Sequence, residues 1–223
     1  TPALRPSGEL ALRASGGKLE IDTARLAAAG ASLTASGARS RDGRLDVRYS
    51  VGIESLAATA DAFRGMGIGF PDSGPLAFDE DGLTGSVSVS GTIGGRLDQP
   101  SFTADIAVPE LALRTLRAGP LKAELRGDRA GLEVRSLEGT VAGGSVRGWG
   151  AVPLGRGRGR SELELEGVDL GPFARFLPQP WAEDLRCRLS ARAEIDSGPD
   201  GLSAAFFVEA EDLASASLSL PRL

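Results

Sequence analysis

Apolar and polar residues alternate along most of this chain. The clearest run is 185–196. Leu185, Cys187, Leu189, Ala191, Ala193 and Ile195 take one parity, and Arg186, Arg188, Ser190, Arg192, Glu194 and Asp196 take the other. A period of two sends successive side chains to opposite faces of a strand. At about 3.3 Å per residue such a run reaches roughly 40 Å, well beyond the usual strand.

The pattern recurs. Leu45, Val47, Tyr49, Val51 and Ile53 alternate with Asp46, Arg48, Ser50 and Gly52. Val87 and Val89 sit between serines, and Phe102, Ala104, Ile106 and Val108 alternate with Thr103, Asp105 and Ala107. Further runs carry Leu121, Ala123 and Leu125; Leu132 and Val134; Leu163 and Leu165; and Leu202, Ala204, Phe206 and Val208. One apolar and one charged face per strand is the signature of antiparallel sheet. Turn signals separate the runs: Gly16-Gly17, Asp42-Gly43, Asp81-Gly82, Gly94-Gly95, Gly143-Gly144 and Pro199-Asp200-Gly201. Two stretches break the alternation and read as short helices, LAATADAFRGM (56–66) and LGPFARFL (170–177). Pro172 suits a first helical turn. Pro178 and Pro180 end the second helix, and Phe63, Phe173 and Phe176 would pin both to the sheet.

The chain also repeats itself. KLEIDTARLAAAGASLTASG (18–37) aligns without a gap on GLEVRSLEGTVAGGSVRGWG (131–150), at an offset of 113 (131 − 18). A strand and a short helix follow in each copy. This predicts two units, 1–113 and 114–223, stacked with nearest-neighbour contacts. Thr1 is not an initiator Met and Leu223 closes a strand-like run, so the chain reads as a piece of a longer protein.

Composition narrows the function. The chain has 223 residues, 41% of them apolar but only 5% aromatic, so any interior is filled mainly by Leu, Val, Ile and Ala. The net charge is -5 with both signs interspersed, and no basic stripe with interleaved aromatics supports nucleic-acid binding. There is no His and one Cys, which removes Ser-His-Asp and Cys-His catalysis, most zinc sites and any internal disulfide. Cys187 falls in the apolar series of its strand and reads as a buried small hydrophobe. The acidic groups Asp79-Glu80-Asp81, Glu162/Glu164/Glu166 and Glu209/Glu211/Asp212 could serve glycoside hydrolysis or calcium binding. A solvated outer face, neutralised beside Glu162–166 by GRGRGR (155–160), explains them more simply. Trp149 lies opposite in parity to Val146, and Trp181 follows Pro-Gln-Pro; packing roles are favoured for both. No run approaches the ~20 apolar residues of a membrane helix. The residues alone thus describe a soluble, non-catalytic all-β segment without cofactor, whose apolar faces close either as a sandwich or as an open trough.

SGTIGGRLDQPSFTADIAV (90–108) and VRSLEGTVAGGSVRGWGAVPL (134–154) add a resemblance. They are similar to the recurring glycine-punctuated phrases of the AsmA-like and TamB proteins of the Gram-negative envelope. The resemblance implies an elongated, curved antiparallel sheet, a taco-like groove with an apolar interior. It implies a periplasmic mid-body section whose inner-membrane anchor lies outside this chain. It further implies phospholipid acyl chains as cargo between inner and outer membranes, and an Omp85-type outer-membrane barrel as partner of the parent protein. The groove lining would then be Leu45, Val47, Val51, Ile53, Val87, Val89, Phe102, Ile106, Leu121, Leu125, Leu132, Val134, Leu163, Leu165, Leu185, Leu189, Ile195, Phe206 and Val208. The alternative is a protein-binding scaffold for outer-membrane protein assembly that captures client strands by β-augmentation.

Overall fold

Alternation written over nine to fifteen residues at a time leaves the backbone one way to satisfy its polar groups, by pairing with neighbouring strands. In the computed structural model the chain does so almost throughout. The structure describes residues 7–65, 83–113, 115–154, 157–176, 186–199, 201–215 and 218–219. In chain order the elements are β1 (Ser7–Ser15), β2 (Lys18–Ala28), β3 (Ala31–Arg39), β4 (Arg44–Ile53), helix α1 (Leu56–Gly65), β5 (Leu83–Gly85), β6 (Val87–Arg96), β7 (Gln99–Val108) and β8 (Leu111–Leu113). Then follow β9 (Leu116–Gly127), β10 (Gly131–Val141), β11 (Gly144–Pro153), β12 (Gly159–Asp169), a 3-10 turn (Gly171–Phe176), β13 (Arg186–Gly198), β14 (Gly201–Ser215) and β15 (Leu218–Ser219).

All fifteen strands of the described residues join one antiparallel sheet. It is a meander: each long strand pairs with the next, and only β5 and β8 lie off the path, paired with each other and, through β8, with β9. The sheet does not close, because β1 pairs only with β2 and β15 only with β14. The extensive contacts between elements are those of hydrogen-bonded neighbours, together with α1 against β5. No second layer covers the sheet among the described residues, so the sandwich alternative is not the one taken. The accessible surface reflects this: 14945 Å², against about 9,600 Å² for a compact monomer of this mass.

The internal repeat is visible in the backbone. β2 and β10 occupy positions 113 apart, and each ends in an Ala-Gly turn with both residues at positive φ: Ala29 and Gly30 at 49° and 76°, Ala142 and Gly143 at 47° and 79°. Both central residues at positive φ define the type I′ hairpin, whose twist matches that of the strands. The β1–β2 register slips at Asp22 and the β9–β10 register at the equivalent Arg135, while the β2–β3 and β10–β11 registers slip across Asp22-Thr23 and Arg135-Ser136. A bulge of this kind adds local twist and bends the strand. The sheet runs through residue 113 without interruption, since β7 pairs directly with β9.

The connections are unequally shared between the two rims of the sheet. Along one rim only short turns link β1 to β2, β3 to β4, β6 to β7, β9 to β10, β11 to β12 and β13 to β14. Along the other lie both Ala-Gly turns and every long connection, including α1, β8 and the 3-10 turn. Helix α1 is fastened there by Glu54 N–H to Gly30 C=O (2.8 Å) and by the buried Thr59 hydroxyl to Ala29 C=O (3.1 Å). The 3-10 turn is held by Asp169 N–H to Ala142 C=O (3.0 Å) and Leu170 N–H to Cys187 C=O (2.9 Å).

The second short helix is of the 3-10 kind, six residues being too few to propagate an α-helix. Two readings need correction. Gly94-Gly95 lies inside β6, and the reversal falls on Leu97-Asp98. Gly144 opens β11, and the turn before it is Ala142-Gly143. Asp81-Gly82, Asp79-Glu80-Asp81, Trp181, Leu185 and the side chains of Phe63 and Phe176 lie outside the described residues.

Candidate apolar groove

In an antiparallel ladder, directly opposed residues share a face. Following the register therefore assigns every side chain a side. One row runs Gly8, Leu26, Leu33, Val51, Val89, Ile106, Ala123, Leu137, Gly148, Leu163, Ala193, Phe206. It crosses twelve strands without one polar side chain. A parallel row carries Ala31, Ile53 and Val87, and further along Leu121, Gly139, Val146, Leu165, Ala191 and Val208. A third carries Leu10, Ala24, Ala35, Tyr49, Gly91, Ala104, Leu125 and Val134, and ends in Ser161, Ile195 and Ala204. A fourth carries Leu12, Ile21, Gly37, Val47, Ile93, Phe102, Gly127, Leu132 and Val152. Leu45 opens a fifth row, facing Gly95, and Leu189 faces Val168.

The lining residues named from the sequence thus come together on one face, Leu185 alone lying outside the described residues. They are not equally covered. Most are half-buried, Phe102 and Leu163 are 37% exposed, and Phe206 and Val208 on the end strand are 68% and 61% exposed. Half-burial without a covering layer is what the inner face of a curved sheet gives. The seven buried apolar residues (Ala60, Ala104, Ala118, Ala142, Val146, Val168 and Cys187) are all small or medium-sized, and none of the described large side chains is fully buried.

Glycine shapes this face. Tyr49 lies across Gly91 so that its hydroxyl donates to Thr103 C=O, two strands away, at 3.0 Å. A Cβ at Gly91 would stand 2.9 Å from that hydroxyl and closer still to the Thr103 carbonyl. Phe102 lies over Gly127, where an added Cβ would meet its ring at 2.2 Å, and Leu121 lies over Gly139 in the same way. Large side chains folded down onto neighbouring glycines make a floor of low relief. Between β4 and β9, next to the short-turn rim, the floor sinks into an open depression of about 450 Å³. Tyr49, Ile93, Pro100 and Phe102 line it, and Asp98, Asp128 and Arg129 stand at its edge. Sequence reasoning had not placed Tyr49, Ile93 or the floor glycines in the lining. Their signal was available: Tyr49 shares the parity of Val47 and Val51.

Partial burial, and then the charge of Asp105, push the Tyr49 phenol above its ordinary value of 10.0. Cys187 is 4% exposed. Burial, then the charges of Asp169 and Asp212, push its thiol above 9.0. Both groups stay neutral at physiological pH, which suits an apolar face.

The opposite face is a ladder of charge. Arg192 reaches Glu162 (2.8 Å), Glu194 (3.1 Å) and Glu164 (3.7 Å), and Arg160 reaches Glu194 (3.1 Å). Trp149, 46% exposed, stands on this outer face directly opposite Glu162. Glu162 and Glu164 are therefore members of an ion-pair network. Among the described residues no group of three Cys, Asp or Glu side chains is placed to hold a metal ion. No described helix is long and apolar enough to cross a membrane.

No protein-family model, curated protein or solved structure matches this chain. The fold and the groove therefore speak for themselves: an elongated, open antiparallel sheet with one continuous apolar face.

Proposed function

We propose that this chain is a section of an AsmA-like or TamB-type envelope protein, and that its apolar face holds phospholipid acyl chains on their way between inner and outer membranes. The observation that carries this reading is the unbroken apolar row across twelve strands, left without a covering layer. Exposed apolar surface costs about 25 cal/mol per Å², and an acyl chain laid on it gains roughly 0.8 kcal/mol per CH₂ removed from water. A contact of ten methylenes would thus be worth about 8 kcal/mol before ordering costs. Because the floor is flat and recurs strand after strand, neighbouring positions differ little in energy. A chain can then shift along it without crossing a deep well. The groove works by holding and not by covalent chemistry, and headgroups need only remain at the polar rims. In this reading the setting is the periplasm, the membrane anchor belongs to the parent protein, and an Omp85-type barrel is its outer-membrane partner.

Native mass spectrometry of protein purified from a Gram-negative host, after a mild-detergent wash, tests the reading. Co-purifying phospholipid is expected, and it should be lost in Leu189→Asp and Ile195→Asp variants that keep their β-sheet circular dichroism. Folded variants with unchanged lipid content would count against it. Among the described residues the outer edge of β1 and most of the outer edge of β14, beyond its short pairing with β15, have no partner strand, and this supports a second reading, capture of an extended client strand. A lipid-free chain that binds such a peptide would favour that one.

A further inference from the structure

The open depression of about 450 Å³ lies between β4 and β9, with β3 paired beyond the one and β10 beyond the other, so the sheet surrounds it on both sides. Its volume falls in the range of about 300–1,000 Å³ usual for small-molecule sites. Its floor is made by two rings that lie down. The Tyr49 hydroxyl draws its ring over Gly91 by donating to Thr103 C=O (3.0 Å), and the Phe102 ring covers Gly127. Neither glycine has a Cβ to lift the ring above it, so the rings floor the space without filling it. Ile93, 37% exposed, completes an apolar seat.

The edge of the seat is charged, and its charges are unequally engaged. The Asp98 carboxylate is paired with Arg96 at 3.0 Å. Asp128 Oδ1 accepts the N–H groups of Ala130 (2.7 Å) and Gly131 (3.3 Å), which holds the β9–β10 turn but leaves the carboxylate its charge. Among the described residues neither Asp128 nor Arg129 has an ion-pair partner, and they do not pair with each other. One anion and one cation, both uncompensated, thus border a single apolar seat. The ligand that satisfies all three parts is an amphiphile with an apolar tail and a head carrying both signs. A guanidinium presents a planar fork of donors that matches phosphate oxygens.

We infer that this depression reads headgroups: a phospholipid with an amine beside its phosphate lays an acyl chain on Tyr49, Ile93 and Phe102, sets its phosphate on Arg129 and its ammonium on Asp128. The inference rests on the reading of the groove as a lipid carrier. It adds the class of headgroup preferred and the rim, that of the short turns, on which the headgroup sits.

Isothermal titration with two soluble lipids of identical tails tests it, dihexanoyl phosphatidylethanolamine and dihexanoyl phosphatidylglycerol, both below their micellar concentrations. Wild type is expected to bind the ethanolamine lipid roughly fivefold more tightly than the glycerol lipid. Arg129→Gln should weaken both lipids by about fivefold to tenfold. Asp128→Asn keeps the Oδ1 that holds the turn and removes only the charge. It should weaken the ethanolamine lipid alone, erasing the preference. Ile93→Gln, at a solvent-accessible position, should weaken both lipids alike. Arg41→Gln changes the net charge equally at the β3–β4 turn, outside the depression, and should alter neither. Wild-type affinities that survive Arg129→Gln, an Asp128→Asn variant that treats both lipids alike while keeping the preference, or an Arg41→Gln loss as large as that of Arg129→Gln would each overturn the inference and leave the groove reading standing. Binding of neither lipid overturns it as well, and the groove reading then falls only if wild-type protein also co-purifies without phospholipid.

Discussion

Replacing Gly91 by alanine tests whether the apolar floor is as low as the structure makes it. The new Cβ would stand 1.9 Å from the Thr103 carbonyl oxygen and 2.9 Å from the Tyr49 hydroxyl. The first neighbour is backbone and cannot swing aside, so the β6–β7 ladder must open around Gly91 and Ala104. Overpacking of this kind costs about 1–3 kcal/mol. Displacing the Tyr49 hydroxyl from Thr103 adds about 1 kcal/mol. The expected loss is therefore about 2–4 kcal/mol, read as a shift of the urea midpoint by circular dichroism. Gly94→Ala in the same strand is the control. Its Cβ would meet nothing nearer than 3.8 Å, and relieving the unfolded-state entropy of glycine makes it neutral or slightly stabilising. Tyr49→Phe alone should cost about 1 kcal/mol. The double variant should cost less than the sum by a similar amount, because alanine at 91 has already broken the hydroxyl's bond. A Gly91→Ala variant no less stable than Gly94→Ala, or strictly additive behaviour with Tyr49→Phe, would refute the low-floor account.

Tyr49 is the only tyrosine, so its phenolate absorbance reports one site. Its midpoint should lie above 10.0 in the folded chain, fall to the ordinary value in urea, and drop in Asp105→Asn. Since the folded value is the raised one, the corresponding stability is complete below the unfolded midpoint and is lost as pH rises through the folded one. A native midpoint at or below 10.0 would contradict the geometry at Gly91. Cys187 should react with a disulfide-exchange reagent far more slowly in the native protein than in urea; equal rates would mean that β13 is not packed as described. Arg192→Ala removes the cation shared by Glu162, Glu164 and Glu194, leaving Glu194 its pair with Arg160, and should cost about 1 kcal/mol at low ionic strength, shrinking in about 1 M salt. A loss insensitive to salt would point to packing instead of charge.

Much of this architecture was written in the alternation itself. Parity alone separates Val51, Val89, Ile106 and Leu163 from their charged neighbours, and antiparallel pairing does not mix the two sets, so they end on one face. The repeat was legible for a similar reason: turn and bulge positions are fixed by local backbone demands that recur at Ala29-Gly30 and Ala142-Gly143. What parity does not contain is what lies above the face. Whether Leu163 packs against a second sheet or against nothing depends on the path of the chain, and sandwich and trough share one pattern. Nor does it contain reach. That Tyr49 bridges to Thr103 depends on Gly91, a residue forty-two positions on in sequence (91 − 49) yet directly opposite in the ladder. Nor does it contain the kind of helix: at Gly171–Phe176 the short helix is 3-10, because so short a segment leaves too few residues for an α-helix to repay its nucleation.

The central claim is that the apolar face, and not the charged one, meets lipid, and neighbouring residues of one strand can test it. Leu163 is 37% exposed on the apolar face, while the side chain of Glu164, 47% exposed, lies on the outer face among Arg192 and its partners. A photoreactive phenylalanine analogue placed at each position in turn, in cells of a Gram-negative host, samples surfaces of similar accessibility but opposite chemistry. Phospholipid adducts at 163 and none at 164 are expected. Equal labelling at both positions, or labelling at 164 alone, would contradict the account.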